Sequence, residues 1–571
     1  MNRGGSCLNP EMSNREVAEK LSLMGEILEI LDENPFKVRA YRRAAESIER
    51  LGVPVGNLSP EELEAVPGIG TAIAKKVREI IATGTFHELE EARSSVPASL
   101  VEMLALDGVG PKTIKTLWKK LGIQSIDDLE RAARGHRIRA VRGFGPRKEE
   151  AFLEAIENYR QPRARMTRLF ADQVIEGIRG VFAEGTFVVA GSYRRKKSTI
   201  GDIDIVTVDS PPSVNSRIRQ IAEEVIDEGD KKTSFRFKKT RIDVRFIERN
   251  RCGAMLLYLT GSKAFNIRLR EIALERGLKL NEYGIEDAGR GKVHSFAREE
   301  EIFSFLGMDY IVPELREDWG EIQAAFSHTL PRLVDEKEIR GDLHVHSTWS
   351  DGHMDIEGLA RAGESLGYAY ILCTDHSASL GIAHGLDEEA IRKQAHEIEI
   401  ANRSSSCQVL HGIEVDILAD GTPGLPSRVL ADLDIVVGSV HSGFSQDQDV
   451  MTRRVITALE NEHIDILGHP TGRLIGEREP FAIDIHRVIE AAATHGKALE
   501  CNASPYRMDI DDTAIREAVD RGVKVALGTD AHDASELGWI RYGIGICRRG
   551  WATPGTLLNC MEQKDLLEWA S

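Results

Sequence analysis

Cysteine is scarce and scattered: seven in 571 residues, none in a Cys-x-x-Cys pair. This excludes a disulfide framework and gives no thiolate zinc site. No run approaches ~18 apolar residues, so nothing reads as a membrane span. The N-terminus lacks the charged-then-apolar pattern of a secretory signal, which leaves the cytoplasm as the expected compartment. Residues 1–11 read as dispensable, with Met12 an alternative start just before the first helical pattern. What is present, 42% hydrophobic and 29% charged residues, suffices to bury cores. At ~100–200 residues per domain the length predicts several units.

An excess of basic charge is also missing, since the formal net charge is −17. The sum hides an asymmetry. Residues 341–571 hold 19 Lys+Arg against 37 Asp+Glu, a net of −18, whereas the first 340 residues carry +1. Thirteen of the 17 histidines also lie after residue 340. A near-neutral front is joined to an acidic, histidine-rich back, which marks a domain boundary.

Residues 14–160 read as short amphipathic helices broken by glycine, beginning with Glu16 to Leu31 and Val38 to Leu51. Three segments share one turn: Pro67-Gly68-Ile-Gly70, Asp107-Gly108-Val-Gly110 and Arg142-Gly143-Phe-Gly145. Each opens a helix. Two glycines flanking an apolar residue let backbone amides point outward at a helix N-terminus, a sequence-independent phosphate cradle. Lys75, Lys76, Lys112, Lys115, Arg147 and Lys148 add positive charge. Three such turns point to gripping of a DNA backbone without reading of bases.

Thr186 to Ala190 is a buried-strand pattern, followed by Gly191-Ser192-Tyr-Arg194-Arg195. Gly201-Asp202-Ile-Asp204 then leads into an apolar run, and Arg241 to Ile247 offers Asp243 on a second strand. Residues two apart on a strand face one side, so Asp202 and Asp204 are expected to project together. Three converging carboxylates repel unless cations sit between them. Two Mg2+ (or Mn2+) ions bridging a triphosphate and an attacking hydroxyl suit that arrangement. The Gly-Ser turn, Arg194 and Arg195 would face the phosphates, and Asp243 is the candidate general base for the primer 3′-hydroxyl.

Gly191-Ser-Tyr-Arg-Arg with Gly201-Asp-Ile-Asp204 resembles the nucleotidyltransferase signature of the X-family DNA polymerases, relatives of DNA polymerase beta. The resemblance covers about residues 14–320. Tyr258-Leu-Thr-Gly261-Ser-Lys-Ala-Phe-Asn266-Ile-Arg-Leu-Arg270 is similar to the family's thumb motif. It implies that Tyr258 and Gly261 lie against the deoxyribose and that Asn266 and Arg270 meet the minor-groove side of the nascent pair. The family usually has Phe where this chain has Leu259. The N-terminal segment is similar to the family's lyase domain, which implies Lys76 as a Schiff-base lysine and Lys37 and Tyr41 as phosphate contacts.

After residue 340, seven short apolar runs alternate with helical stretches, implying parallel strands and, over some 230 residues, a barrel. The runs are followed by His344 and His346 then Asp351, by Asp375-His376, Glu414, His441, His469, Asn502, and Asp530-Ala-His532. Side chains at the C-terminal ends of barrel strands form active sites. His, Asp and Glu without Cys indicate Zn2+, Mn2+ or Fe2+, and so many ligands imply two or three ions. Activation of water against a phosphodiester is the expected reaction. His353, His384, His396, His463, His486 and His495 lack that placement. The stretch 340–571 resembles the PHP (polymerase and histidinol phosphatase) domain family, through Asp342-Leu-His-Val-His346, Thr374-Asp-His-Ser377, Ser439-Val-His-Ser442, Gly468-His-Pro470 and Thr529-Asp-Ala-His532. The resemblance implies a trinuclear site of His344, His346, Asp351, His376, Glu414, His441, His469, Asp530 and His532. Both halves in this order are similar to bacterial and archaeal X-family members, which implies gap-filling synthesis, 3′-end trimming and abasic-site cleavage.

The expected architecture is multidomain. It comprises a helical lyase-like region (1–95), a second region with two further hairpins (96–165), an α+β nucleotidyltransferase palm (166–250) and a thumb (251–320). A helical, semi-rigid connector (321–339) and a distorted (β/α)7 barrel (340–571) follow. Expected partners are gapped or nicked DNA, dNTPs and other repair proteins such as a ligase, with a monomer in the cytoplasm associated with the nucleoid. The competing readings are a 3′-end nuclease whose front half only holds DNA, a non-enzymatic end-binding scaffold, and a template-independent nucleotidyltransferase.

Overall fold

The computed structural model describes residues 14–49, 51, 55–106, 108–160, 165–287, 289, 291–378 and 385–571. The expectations on residues 1–13, Asp107 and His384 lie outside the described residues. The chain divides into two compact units, Met1–Ala164 and Arg165–Ser571.

Among its described residues the first unit holds helices and no strand. Asn14–Leu31 buries Val17, Leu21, Met24 and Leu28 on one face, as the spacing predicts, and packs on Pro35–Glu49. Each glycine turn leads into a helix: Thr71–Thr83, Pro111–Leu121 and Pro146–Arg160. Gly68, Gly108 and Gly143 have φ of 94°, 75° and 96°, the left-handed region that disfavours any side chain. One continuous core runs from Val17 to Ile156. Lys115 and Lys119 of the second hairpin helix both pair with Asp32 at the end of the first helix. The helices on either side of residue 95 share this core.

The second unit opens with a five-stranded palm sheet, in spatial order Phe187–Val189, Ile203–Thr207, Thr240–Phe246, Lys232–Phe237 and Glu224–Glu228. Along Thr240–Phe246 burial alternates with period two: Ile242, Val244 and Phe246 enter the core, and Arg241, Asp243 and Arg245 take the other face. The thumb contains helices Cys252–Thr260 and Lys263–Glu275 and a three-stranded sheet. Palm and thumb are clamped by buried Glu299, which accepts from Arg194 (2.6 Å) and Arg316 (2.6 Å). Arg194 thus serves the joint and also donates to Thr260 Oγ1 at 2.7 Å; it does not reach toward phosphates as expected.

Burial alone would raise the Glu299 carboxyl, but Arg316 and Arg194 outweigh it and hold it at about 2. The clamp's contribution is complete above pH ~4.5 and is lost as pH falls toward 2, about 3 kcal/mol in all. Glu299→Gln should lower the unfolding midpoint at pH 7, and the gap from wild type should close between pH 4.5 and 2 in thermal melts.

The rest of the unit is a parallel seven-stranded barrel in sequential order: Gly341–Val345, Tyr370–Cys373, Gln408–Asp416, Ile435–Ser439, Ile466–Leu467, Ala498–Asn502 and Val525–Gly528. Asp530 N donates to His344 O and His346 N to Ala531 O, bonds that join last strand to first. All seven strands contribute to one apolar cluster that includes Leu558 and Leu566 of the C-terminal segment. The connector departs from the expected helix. Glu321–Phe326 is helical, but its Ile322 and Ala325 belong to the thumb core, and the chain then runs irregularly to a 3-10 turn at Glu336–Glu338. Val334 anchors that stretch in the barrel core, with its N–H donating to Ala552 and its carbonyl accepting from Arg548. Among the described residues no helix is long and apolar enough to cross a membrane.

Candidate active sites

The palm site follows from strand register. Ile203–Thr207 and Thr240–Phe246 are parallel neighbours with Asp204 directly opposite Asp243. Asp202 sits just before its strand, not on it, yet is close enough to raise Asp204. Burial first, then the charges of Asp202 and Asp243, push the Asp204 carboxyl up to about 7. Divalent cations fit this cluster, because a positive charge relieves both causes of repulsion. Asp243 differs: against burial, the Ser234 hydroxyl and then Lys232 at 3.2 Å and Arg241 at 3.3 Å hold it below the usual carboxylate range. It is therefore a weaker proton acceptor than its position alone suggested.

The turn Gly191–Arg194 lies beside these carboxylates. Gly191 has φ 61°, and a Cβ there would stand 2.9 Å from Asp204 Oδ2, so the backbone can approach only as glycine. Ser192 follows it, and a Cβ on Gly201 would meet Arg165 at 3.3 Å. Arg195 donates to Glu317 Oε1 (2.9 Å) and to the carbonyl of Thr260; its Nη2 has no acceptor among the described residues. Gly261, at φ 69°, packs against Arg195, with a built Cβ 3.1 Å from Nη1. Tyr258 is exposed; Asn266 Nδ2 donates to its carbonyl (2.7 Å), and Arg270 Nε donates to that of Asn266 (3.1 Å). Leu259 packs on the small cluster of Ala190, Val206, Met255 and Leu256. Gly261 and Leu259 thus bring the thumb against Arg195 and Ala190, beside the Gly191 turn.

In the first unit, no atom lies within 4 Å of where a Cβ would stand on Gly70, Gly108, Gly110, Gly143 or Gly145, so those turns are open in front. Gly68 instead meets Arg43 at 2.7 Å. Gly70 and Gly110 cap their helices without any side-chain hydrogen bond, which leaves amides for a ligand. Lys75 is exposed, whereas Lys76 is ion-paired to Glu88. Lys37 is exposed, but Tyr41 is buried and stacked on Phe86, and so is packed inside rather than presented to a phosphate.

In the barrel the nine expected ligands converge. His346, Asp351, His376 and His532 form one group, His344, His346 and Asp530 a second, and His376, Glu414 and His441 a third. His469 joins through Nε2, 2.9 Å from Glu414 Oε1. Glu414 also meets His441 Nε2 at 3.2 Å and His376 Nδ1 at 2.8 Å. Asp530 approaches His346 at 3.2 Å and Asp351 approaches His532 at 3.3 Å. The fit to cations is physical. His344 Nε2, both ring nitrogens of His346, His376 Nδ1 and Glu414 Oε2 are buried and, despite these close approaches, make no hydrogen bond of proper geometry among the described residues. Burial pushes His346 and His469 down toward the neutral imidazole that ligates a metal. None of His353, His396, His463, His486 or His495 joins these groups.

Two expected neighbours are not ligands. Asp375 faces Ser347, Ser350 and Gln394, and Asn502 steadies Asp530 at 3.2 Å. Sequence reasoning passed over Glu500, which accepts from His344 Nδ1 (2.7 Å), and Asp416, which accepts from His441 Nδ1 (2.7 Å). Each fixes a tautomer and leaves Nε2 for a metal. Period two was the available signal, since Asp416 is two residues from Glu414 and Glu500 two from Asn502.

A palm with facing strand carboxylates beneath a Gly-Ser turn, followed by a barrel ringed with imidazoles, defines a class: a polymerase-beta-type nucleotidyltransferase joined to a PHP barrel. Family models match accordingly. They are a helix-hairpin-helix domain (12–86), a SAM-like helix-hairpin-helix tandem (100–158), the DNA polymerase beta palm (160–248) and thumb (255–317), and the PHP domain (342–504). The DNA polymerase/3′-5′ exonuclease PolX of Bacillus subtilis (strain 168) is 35% identical over 567 residues, 97% of this chain and 99% of that protein. The chain belongs to the PolX family of DNA polymerases. Two further relatives match part of the chain. Rat DNA polymerase lambda is 25% identical over 340 residues, 54% of this chain and 56% of that protein. A probable phosphatase of Thermoanaerobacter sp. (strain X514) is 31% identical over 231 residues, 38% of this chain and 89% of that protein.

Proposed function

We propose that this chain fills short gaps in DNA at the palm and trims 3′ ends by phosphodiester hydrolysis in the barrel. The observation that supports the reading is that one chain carries two separate sets of candidate ligands, the facing Asp204 and Asp243 of the palm and the histidine–carboxylate groups of the barrel. Divalent ions would supply phosphate neutralisation and acidification of the attacking hydroxyl or water, Mg2+ or Mn2+ among Asp202, Asp204 and Asp243 and two or three of Zn2+, Mn2+ or Fe2+ in the barrel. The Gly191–Ser192 turn and the spare Nη2 of Arg195 bind the triphosphate. Tyr258 and Gly261 meet the sugar; Asn266 and Arg270 exchange their internal bonds for the minor-groove edge of the new pair. Asp243, held acidic by Ser234, Lys232 and Arg241, orients the primer hydroxyl and is a poor acceptor for its proton.

The hairpins grip gapped or nicked DNA through backbone amides and lysines, with the chain as a monomer in the cytoplasm and nucleoid. Binding should weaken steeply with salt. Lys75→Ala and Lys112→Ala should each lower the slope of log K against log salt by about one, read from titrations on gapped DNA. Abasic-site cleavage by Lys76 requires release from Glu88, because an ion-paired ammonium is not a nucleophile.

The test is a 5′-phosphorylated one-nucleotide gap, incubated in Mg2+ or Mn2+ with and without the complementary dNTP. Extension by one nucleotide is expected with dNTP, 3′ shortening without it, and neither in EDTA. No extension sinks the polymerase assignment; no shortening sinks the barrel assignment.

A further inference from the structure

Arg549 ends the barrel helix Ile540–Arg549 and is fully buried, yet its hydrogen bonds do not go to the imidazole cluster. Its Nε donates to Asp512 Oδ2 at 2.8 Å. Nη1 donates to the carbonyl of Arg195 at 2.6 Å, and Nη2 to Glu317 Oε1 at 2.9 Å. That same Glu317 oxygen receives Arg195 Nε at 2.9 Å. One barrel side chain therefore grips Arg195 twice, at its backbone and through the acid that anchors its guanidinium. Lys197 extends the ladder, 3.4 Å from Asp512 and 3.7 Å from Glu317.

The same helix holds the loop a second way. Tyr542 and Arg541 donate to Asp172 at 2.7 and 2.9 Å, and Asp172 also accepts from Tyr193 at 2.7 Å. Palm Arg168 stacks over the rings of Tyr193 and Tyr542 and donates to the carbonyl of Tyr193 at 3.1 Å. The turn after Gly191 is thus built partly from barrel residues more than 300 positions away in the chain.

We propose that Arg549 is a positioning residue for nucleotide incorporation: it fixes the Arg195 loop so that Nη2 of Arg195 meets the incoming triphosphate. This rests on the polymerase reading above. A planar fork with three fixed acceptors is what a flexible point charge cannot reproduce. Without it, among the described residues Glu317 keeps Arg195 and Lys197, and the carbonyl of Arg195 loses its donor.

The test compares wild type, Arg549→Met, Arg549→Lys and Glu317→Gln, full length, on the one-nucleotide gap across a dNTP titration, with 3′ shortening measured on the same preparations. Arg549→Met should raise the KM for dNTP about tenfold, as for one lost charge-assisted bond, with kcat and shortening within about twofold of wild type. Arg549→Lys should recover part of that, and Glu317→Gln should raise KM similarly. A folded Arg549→Met with wild-type KM overturns the proposal, as does an equal fall in shortening and incorporation, which would mark general loosening. Should Arg549→Met not fold, wild-type KM in both other variants overturns it. A wild-type chain that incorporates nothing overturns the polymerase reading, and this inference with it.

Discussion

Asp204→Asn is expected to reduce nucleotide incorporation ~10^3-fold, the order seen when a principal electrostatic stabiliser is removed, and to leave 3′ shortening within about twofold. Asp204 stands in register with Asp243 and against the Gly191 turn, so no neighbour can substitute for it. The same change should stabilise the metal-free protein. Burial and two neighbouring carboxylates raise its pKa to about 7, so keeping it ionised costs stability that grows as pH rises toward 7 and is complete above it. In EDTA at pH 8 the variant should melt higher than wild type, and the difference should vanish below pH ~4. Loss of incorporation together with a lower melting point in EDTA would mean that Asp204 supports the sheet rather than a cation site.

Residues whose chemistry is local were legible in the sequence. Gly191-Ser192, Asp202-Ile-Asp204 and His344-Val-His346 announce themselves within a few positions, and strand periodicity places them. Sequence is silent where a partner is distant and its type ordinary. Arg549 is the second of two consecutive arginines at a helix end, which reads as a solvated terminus until Asp512 and Glu317 are brought to it. The connector misled for a related reason. Its charges suggest a helix, but charge pattern does not register that Val334 enters the barrel core or that Pro331 interrupts the run. Tyr41 shows the reverse error: a match by position to a phosphate contact, overridden by packing on Phe86. Part of the acidity of the back half belongs to particular groups. Glu414, Asp530 and Asp351 lie among imidazoles, Glu500 and Asp416 stand behind them, and Asp512 serves the joint.

Glu414→Gln should reduce 3′ shortening ~10^3-fold while incorporation stays within about twofold. Its two oxygens face five imidazoles. Oε1 lies 2.9 Å from His469 and 3.2 Å from His441; Oε2 lies 2.8 Å from His376, 3.6 Å from His344 and 3.8 Å from His346. Among the described residues no other side chain touches so many of the group, so the loss of one negative charge is felt by imidazoles of all three candidate groups. The shape is kept, because Gln is isosteric and the site is walled by strands. Metal content after gel filtration in Mn2+ or Zn2+ should fall by more than one ion per chain. Glu500→Gln makes the contrast, since it acts only through His344 Nδ1: it should weaken metal binding by ~10–100-fold and shortening in proportion, restorable by added ion. Added ion should not restore Glu414→Gln, because what is missing there is a ligand and not its orientation. If excess metal rescues both variants equally, Glu414 is a supporting residue, and the cations are held by the histidines with Asp530 and Asp351.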